Sequence, residues 1–204
     1  MAENGRFLVV TEDVVTEFYE KKSRFISSLA TAGSKVDAER FIKNISSLYP
    51  GANHNCFAYI VGDPLSPLDI HCSDDGEPSG TAGRPMLSIL ERNRIGNAVV
   101  VVTRYFGGTK LGTGGLVRAY SRAVKEAVEQ AQLAEYVERV TVTCSFHYQF
   151  EAGVRNLVAT MGACLEKCSY LDSVTCTITM DVTVRDLFIA ELKDLTSGRV
   201  TGLE

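Results

Sequence analysis

Residues 98–120 read AVVVVTRYFGGTKLGTGGLVRAY, an apolar run, a turn crowded with glycine, and then a helical pattern. Ala98 to Val102 is short and β-branched, as in a strand buried on both faces. Leu116, Tyr120, Ala123, Ala127 and Ala131 recur at helical spacing, with Arg118, Arg122, Lys125 and Glu129 on other faces. A strand therefore feeds a helix through Gly107, Gly108, Gly112, Gly114 and Gly115, five glycines in nine residues. Such a turn brings backbone N–H groups together on one anion, and the helix adds unpaired N–H groups and the positive end of its dipole. The same glycines would equally serve a tight connection with no ligand.

The spacing excludes two common assignments. Lys110 lies between the glycines and Thr113 follows Gly112, so no G-x-x-x-x-G-K-[ST] phosphate loop can be placed. A dinucleotide site would need G-x-G-x-x-G with an acidic residue about 20 positions on, and that is missing too.

Working outward, residues 84–125 carry eight Lys or Arg against Glu91 alone, a local +7 in a chain of net charge −4. Upstream, residues 63–77 hold five carboxylates and no Lys or Arg. The two blocks either neutralise each other or leave Arg84, Arg104, Lys110 and Arg118 to face a phosphate-bearing partner. Tyr105 and Phe106 offer rings that could stack on a base or fill the core. Asp74, Asp75 and Glu77 could bind a divalent ion or act as bases, but the EF-hand pattern is absent and Asp-Asp-Gly is an ordinary turn signal. Ser79 or Thr81 is expected to cap a helix running through Met86 to Arg92, with Pro85 in its first turn. No metal, cofactor or catalytic residue is assigned.

SDDGEPSGTAGRPM at 73–86, TRYFGG at 103–108, KLGTGGLVRAY at 110–120 and KKSRFI at 21–26 together closely resemble the IMPACT family in its bacterial, YigZ-type form. The resemblance is dense over residues 18–125 and looser beyond. It implies an α+β protein. Its N-terminal α/β domain, residues 1–134, would be like the second domain of ribosomal protein five of the small subunit, with a left-handed βαβ crossover. A small ferredoxin-like domain, residues 135–204, would resemble the last domain of elongation factor G. Eukaryotic relatives act in translational control by competing for the activator of a starvation-responsive kinase. They carry a different N-terminal partner-binding domain, so the resemblance implies a binding loop here rather than that mechanism.

The remaining pattern agrees with two domains. Strands are expected at Val14–Tyr19, Arg24–Ala30 and Asn55–Val61, with a loop over 62–80. A helix capped by Ser34 puts Ala38, Phe41, Ile42, Ile45, Leu48 and Tyr49 on one core stripe. From Val140 and from Val174, apolar residues alternate with threonines as far as Phe146 and Val184, giving half-buried strands. Helices at Glu151–Met161 and Arg185–Leu195, with a short strand from Arg199, complete a ferredoxin-like order. From Glu135 onward there are six basic and ten acidic residues, a balance unsuited to binding nucleic acid alone.

Met1–Gly5 lacks the character of a signal peptide and no apolar run approaches a membrane span, so a cytoplasmic protein with reduced thiols is expected. Cys144 and Cys176 read as core. Cys164 and Cys168, four apart, make a four-thiolate zinc site with Cys144 and Cys176 conceivable, but the pairing is not C-x-x-C and the inward cysteines already have a packing role. Cys56 and Cys72 lie near His54 and His71, a nucleophile arrangement only if the rings reach the sulfurs. Two functional classes survive: a non-catalytic binding protein contacting RNA, the ribosome or a translation factor through the Gly-rich loop, and an enzyme acting on a phosphorylated small molecule. Binding is favoured.

Overall fold

The computed structural model describes residues 6–203; the leader reading at Met1–Gly5 lies outside them. The chain divides into two compact units, Phe7–Tyr136 and a smaller one from Val137 onward.

In the larger unit a five-stranded antiparallel sheet has the order β2-β3-β6-β4-β5. The strands are β2 (Val14–Glu20), β3 (Ser23–Thr31), β4 (His54–Asp63), β5 (Ser66–Ser73) and β6 (Ala98–Tyr105). A further strand, β1 (Arg6–Val10), pairs with β7 (Leu133–Val137). Helix α1 (Lys35–Leu48) covers one face of the sheet, packing Ala38 against Ala30, Tyr59 and Val99. Helices α2 (Gly83–Arg92) and α3 (Thr113–Gln130) cover the other, packing Met86, Leu90, Tyr120 and Val124 against Phe25, Leu29, Ala58, Val100 and Val102. Helices on both sides explain the unbroken valine run in β6, where both residue phases are buried. Each large apolar side chain so enclosed contributes about 1.5–3 kcal/mol. β3 and β4 both run antiparallel to β6, so they are parallel to each other and α1 is the crossover between them.

Ser34 caps α1 as expected, accepting the Asp37 N–H at 3.2 Å. Leu48 departs from the expected core stripe: it is 64 % exposed in the last turn. The expected 62–80 loop also contains β5. This strand has Pro67 and an 86 % exposed Leu68 and, among the described residues, pairs only with β4, as an edge strand does. Proline is tolerated there because an edge strand need not donate on its outer side.

The smaller unit is a mixed α/β fold. Strands β8 (Arg139–Phe146), β9 (Cys164–Tyr170) and β10 (Val174–Asp181) form a sheet of order β8-β10-β9. Thr201 forms an isolated antiparallel bridge to Ser145 on the outer side of β8, in the place of the last strand of a ferredoxin-like order, so the expected short strand is reduced to one bridge. Helices α4 (Glu151–Thr160) and α5 (Arg185–Leu195) bury Val154, Val158, Phe188 and Leu192 against Val142, Phe146, Ile178 and Met180. The opposite phase carries hydroxyls, with Ser145 and Thr175 hydrogen-bonded across the strands at 2.7 Å. The expected alternation to Val184 stops at Asp181. Its carboxylate accepts the Thr183 N–H at 2.8 Å and turns the chain into a 3-10 turn, Val182–Val184.

The expectation of reduced thiols fails at one pair: Cys168 and Cys176, directly opposite on β9 and β10, form a disulfide. Strand phase alone marks Cys176 as an ordinary core residue, because its partner comes from a neighbouring strand.

Candidate functional site

The acidic segment is a scaffold. Asp74 follows β5, and its carboxylate accepts the Gly80 N–H at 2.7 Å and the Ala82 and Gly83 N–H groups at 2.9 Å each. Helix α2 therefore begins on a carboxylate eight residues before its cap position, and the expected cap from Ser79 or Thr81 is not made. Thr81 instead donates its hydroxyl to the Pro78 carbonyl at 2.6 Å, and Ser79 is exposed. Burial alone would raise the Asp74 carboxyl, but the N–H groups of Gly80, Gly83 and Ala82 together outweigh it and hold the group below its ordinary value. Gly83 permits the close approach: a Cβ there would stand 2.8 Å from the Ser73 backbone nitrogen.

Asp75, at φ 42°, accepts the Asn55 N–H at 2.5 Å, and its carbonyl faces His54 Nδ1 at 2.8 Å. A carbonyl only accepts, so Nδ1 carries the proton. Asp74, Asp75 and Glu77 thus turn to different partners. Among the described residues, no group of three or more His, Cys, Asp or Glu is arranged to hold a metal ion.

Glu77 lies at the centre of a buried network, its side chain 4 % exposed. Its Oε1 accepts from Arg104 at 2.5 Å and from the Tyr120 hydroxyl at 2.9 Å. Arg104 also donates to Ser23 Oγ at 3.2 Å, and its guanidinium lies between the rings of Phe25 and Phe106, 5.4 and 5.5 Å from their centroids. Its charge, counted in the +7 segment, is therefore matched inside the protein. The Cys56 sulfur lies 2.9 Å from the Asp74 carbonyl and 3.3 Å from the Tyr120 hydroxyl, and its single S–H donates to one of them at a time. Burial pushes this thiol up to about 12, against the opposing effect of its hydrogen bond with Tyr120. Burial of this kind keeps the thiol in its protonated, less reactive form at neutral pH. Burial likewise raises Cys72, while the His71 ring packs beside Phe57 and Tyr59.

The glycine-rich segment differs. Gly107 is needed for close approach, since a Cβ there would fall 2.0 Å from the Lys22 carbonyl carbon and oxygen. Its N–H donates to Ser23 Oγ at 3.2 Å. Gly108 and Gly112 take φ of 84° and 74°. Gly112 is the N-cap of α3 and no side chain caps it. The N–H groups of Thr113, Gly114 and Gly115 have no acceptor within the helix by its geometry.

Two clefts flank Leu111. One, of ≈350 Å³, is lined by Glu77, Pro78, Arg104, Phe106, Lys110 and Gly112, among others. The second, of ≈230 Å³, is lined by Lys21, Gly115, Arg118 and Arg122 with Glu20 and Ala119. Phe106 is 44 % exposed and Arg118 is exposed on α3. Of the expected site residues, Asp74, Asp75, Ser79, Thr81, Arg84, Tyr105, Gly107, Gly108 and Gly114 line neither cleft. Tyr105 faces away, its hydroxyl 3.4 Å from the Pro50 carbonyl and its ring under Arg24.

Sequence reasoning misses Lys21 as a site residue. Lys21 and Lys22 take positive φ, 46° and 68°, in the two-residue turn between β2 and β3. Glycine or asparagine is the usual signal for that turn, and Lys-Lys gives none. Helical spacing marks Tyr120 only as a core residue, although its hydroxyl completes the Glu77 network.

The Impact N-terminal domain matches residues 21–128, and a domain of unknown function, DUF1949, matches residues 144–199. The chain therefore belongs to the IMPACT family. It is similar to an IMPACT family member of Haemophilus influenzae, 45 % identical over 135 residues, 66 % of either chain. It is also similar to the IMPACT family member YigZ of Escherichia coli, 35 % identical over 180 residues and 87 % of each chain. A crystal structure titled as that of a hypothetical protein superposes with a TM-score of 0.69 at 32 % identity, covering 98 % of this chain and 97 % of the other. Among the described residues, no helix is long and apolar enough to cross a membrane.

Proposed function

We propose that this IMPACT-family chain is a non-catalytic binding protein of the translation apparatus, holding RNA along the two clefts beside Leu111. The observation that carries this reading is the conjunction, in one cleft, of an exposed Phe106 ring, the Lys110 ammonium and the uncapped start of α3. An aromatic face takes a base of any identity, while cations and backbone N–H groups take phosphate oxygens. Lys21 and Arg118 in the second cleft extend the cationic track. Neither they nor Lys110 makes an ion pair among the described residues.

Titration of the purified protein against ribosomes and a generic single-stranded RNA at several salt concentrations tests the reading. Affinity is expected to fall steeply with salt. The K110A/R118A variant should bind more weakly, its logarithmic salt slope reduced by about 0.7 for each phosphate it no longer neutralises. F106A should weaken binding by about 1–3 kcal/mol with the slope unchanged. Unaltered affinity in both variants would remove the clefts as the site. Absence of RNA binding, together with nucleotide-dependent thermal protection, would replace the reading with an enzyme of phosphorylated small molecules.

A further inference from the structure

The core face of the sheet in the smaller unit carries three cysteines in one row. Cys144 on β8 lies opposite Cys176 on β10, and Cys176 lies opposite Cys168 on β9. The central sulfur is bonded to Cys168, while Cys144 remains a free thiol. The two flanking positions differ in access. Strand β9 is the outer strand, paired only with β10 among the described residues, and Cys168 is half-buried. Cys144 is wholly buried on its own strand, and burial pushes its thiol up to about 11. A fourth residue supplies an internal contrast. Cys164 is exposed on the same strand as Cys168, but a register shift near Ile178 puts Thr179 opposite it. An adduct on Cys164 has no thiol across the ladder to remove it, whereas one on Cys168 has Cys176.

From this arrangement we infer that Cys168 is a site of reversible modification by low-molecular-weight disulfides and thiols, with Cys176 as the residue that resolves the adduct. In the reduced protein the Cys168 thiolate attacks one sulfur of a small disulfide, RSSR. The Cys168–SR bond forms, the bond within RSSR breaks, and one thiolate leaves and takes up a proton. The Cys176 thiolate then attacks Cys168 Sγ, the Cys168–SR bond breaks, and the second small thiolate leaves. Both protein thiols are oxidised to the observed disulfide, and one small disulfide is reduced to its thiols. Excess small thiol drives the same steps backwards. The resulting bond ties the outer strand β9 to β10 on one side of the register shift.

The test uses the full chain, reduced with dithiothreitol, desalted, exposed to glutathione disulfide, blocked with iodoacetamide and mapped by peptide mass spectrometry. The expected map shows Cys168 joined to Cys176 and glutathione retained on Cys164. In C176S, glutathione should persist on Cys168, while C144S should reproduce the wild-type map. A wild-type map with glutathione on Cys164 and both Cys168 and Cys176 alkylated would overturn the proposal. So would C176S with Cys168 alkylated while its Cys164 carries glutathione. Circular dichroism checks the fold of C176S, with C176A as a second substitution, and the wild-type map decides the matter without either.

Discussion

The acidic segment at 74–83 and the glycine-rich segment at 107–115 both contribute to one cleft, through Glu77 and Pro78 and through Lys110 to Thr113, but use their polar groups in opposite ways. In the first, Asp74, Asp75, Glu77 and Thr81 all bond within the chain. In the second, α3 starts without a side-chain cap and Lys110 stands without an ion pair among the described residues. Charge in a sequence therefore separates into two kinds: charge that organises the wall of a site, and charge left over for a ligand. Substitutions in the wall should register as lost stability, and substitutions in the open segment as lost binding.

The largest effect should come from Glu77→Ala, which leaves the Arg104 guanidinium buried without its counter-charge and removes the acceptor of the Tyr120 hydroxyl. Breaking a buried pair on one side costs about 3–5 kcal/mol, readable as a lower urea midpoint. A loss below about 1 kcal/mol would mean that Glu77 is not structural. Gly107→Ala should follow at about 1–3 kcal/mol, because its Cβ overlaps the Lys22 backbone rather than a side chain that could turn aside. Thermal melting of that variant should show the shift even without ligand.

Asp74→Ala should cost about 0.5–2 kcal/mol, the range for losing a helix cap. The carboxyl is depressed in the folded state, so its contribution is present above the ordinary carboxylate value of 3.8 and is lost as pH falls through the lower folded value. Melting curves taken from neutral pH into acid should therefore fall less steeply for Asp74→Asn than for the wild type. Equal acid slopes would take the three N–H bonds out of the stability account. Smallest on stability should be K110A and R118A, each within about 0.5 kcal/mol by denaturant unfolding. A larger loss there would dissolve the contrast between the two segments.

Much of the fold is legible because its periods are clean. The valine run of β6, the stripe of α3 and the apolar–threonine alternation of β8 and β10 each match one secondary-structure period. Strand β5 escapes because Pro67 and the exposed Leu68 break the pattern of a half-buried strand, and its pairing is supplied by β4. The candidate site is legible in composition but not in partners. Composition groups Arg104 with the outward cations, although a period of two puts it in phase with Val100 and Val102, which face α2 and α3. That phase is the available signal for its burial. The reach of Asp74 to the start of α2 and the pairing of Cys168 with Cys176 have no comparable signal, because both depend on where separate segments meet in space.

The Asp74 carboxylate has a dynamic consequence. Since one side chain collects the amides of Gly80, Ala82 and Gly83, the segment after β5 and the first turn of α2 are expected to open as a single unit. Solvent deuterium should then reach those amides through one shared opening, and cleavage by a protease near Ser79 should be limited by the undoing of the helix start.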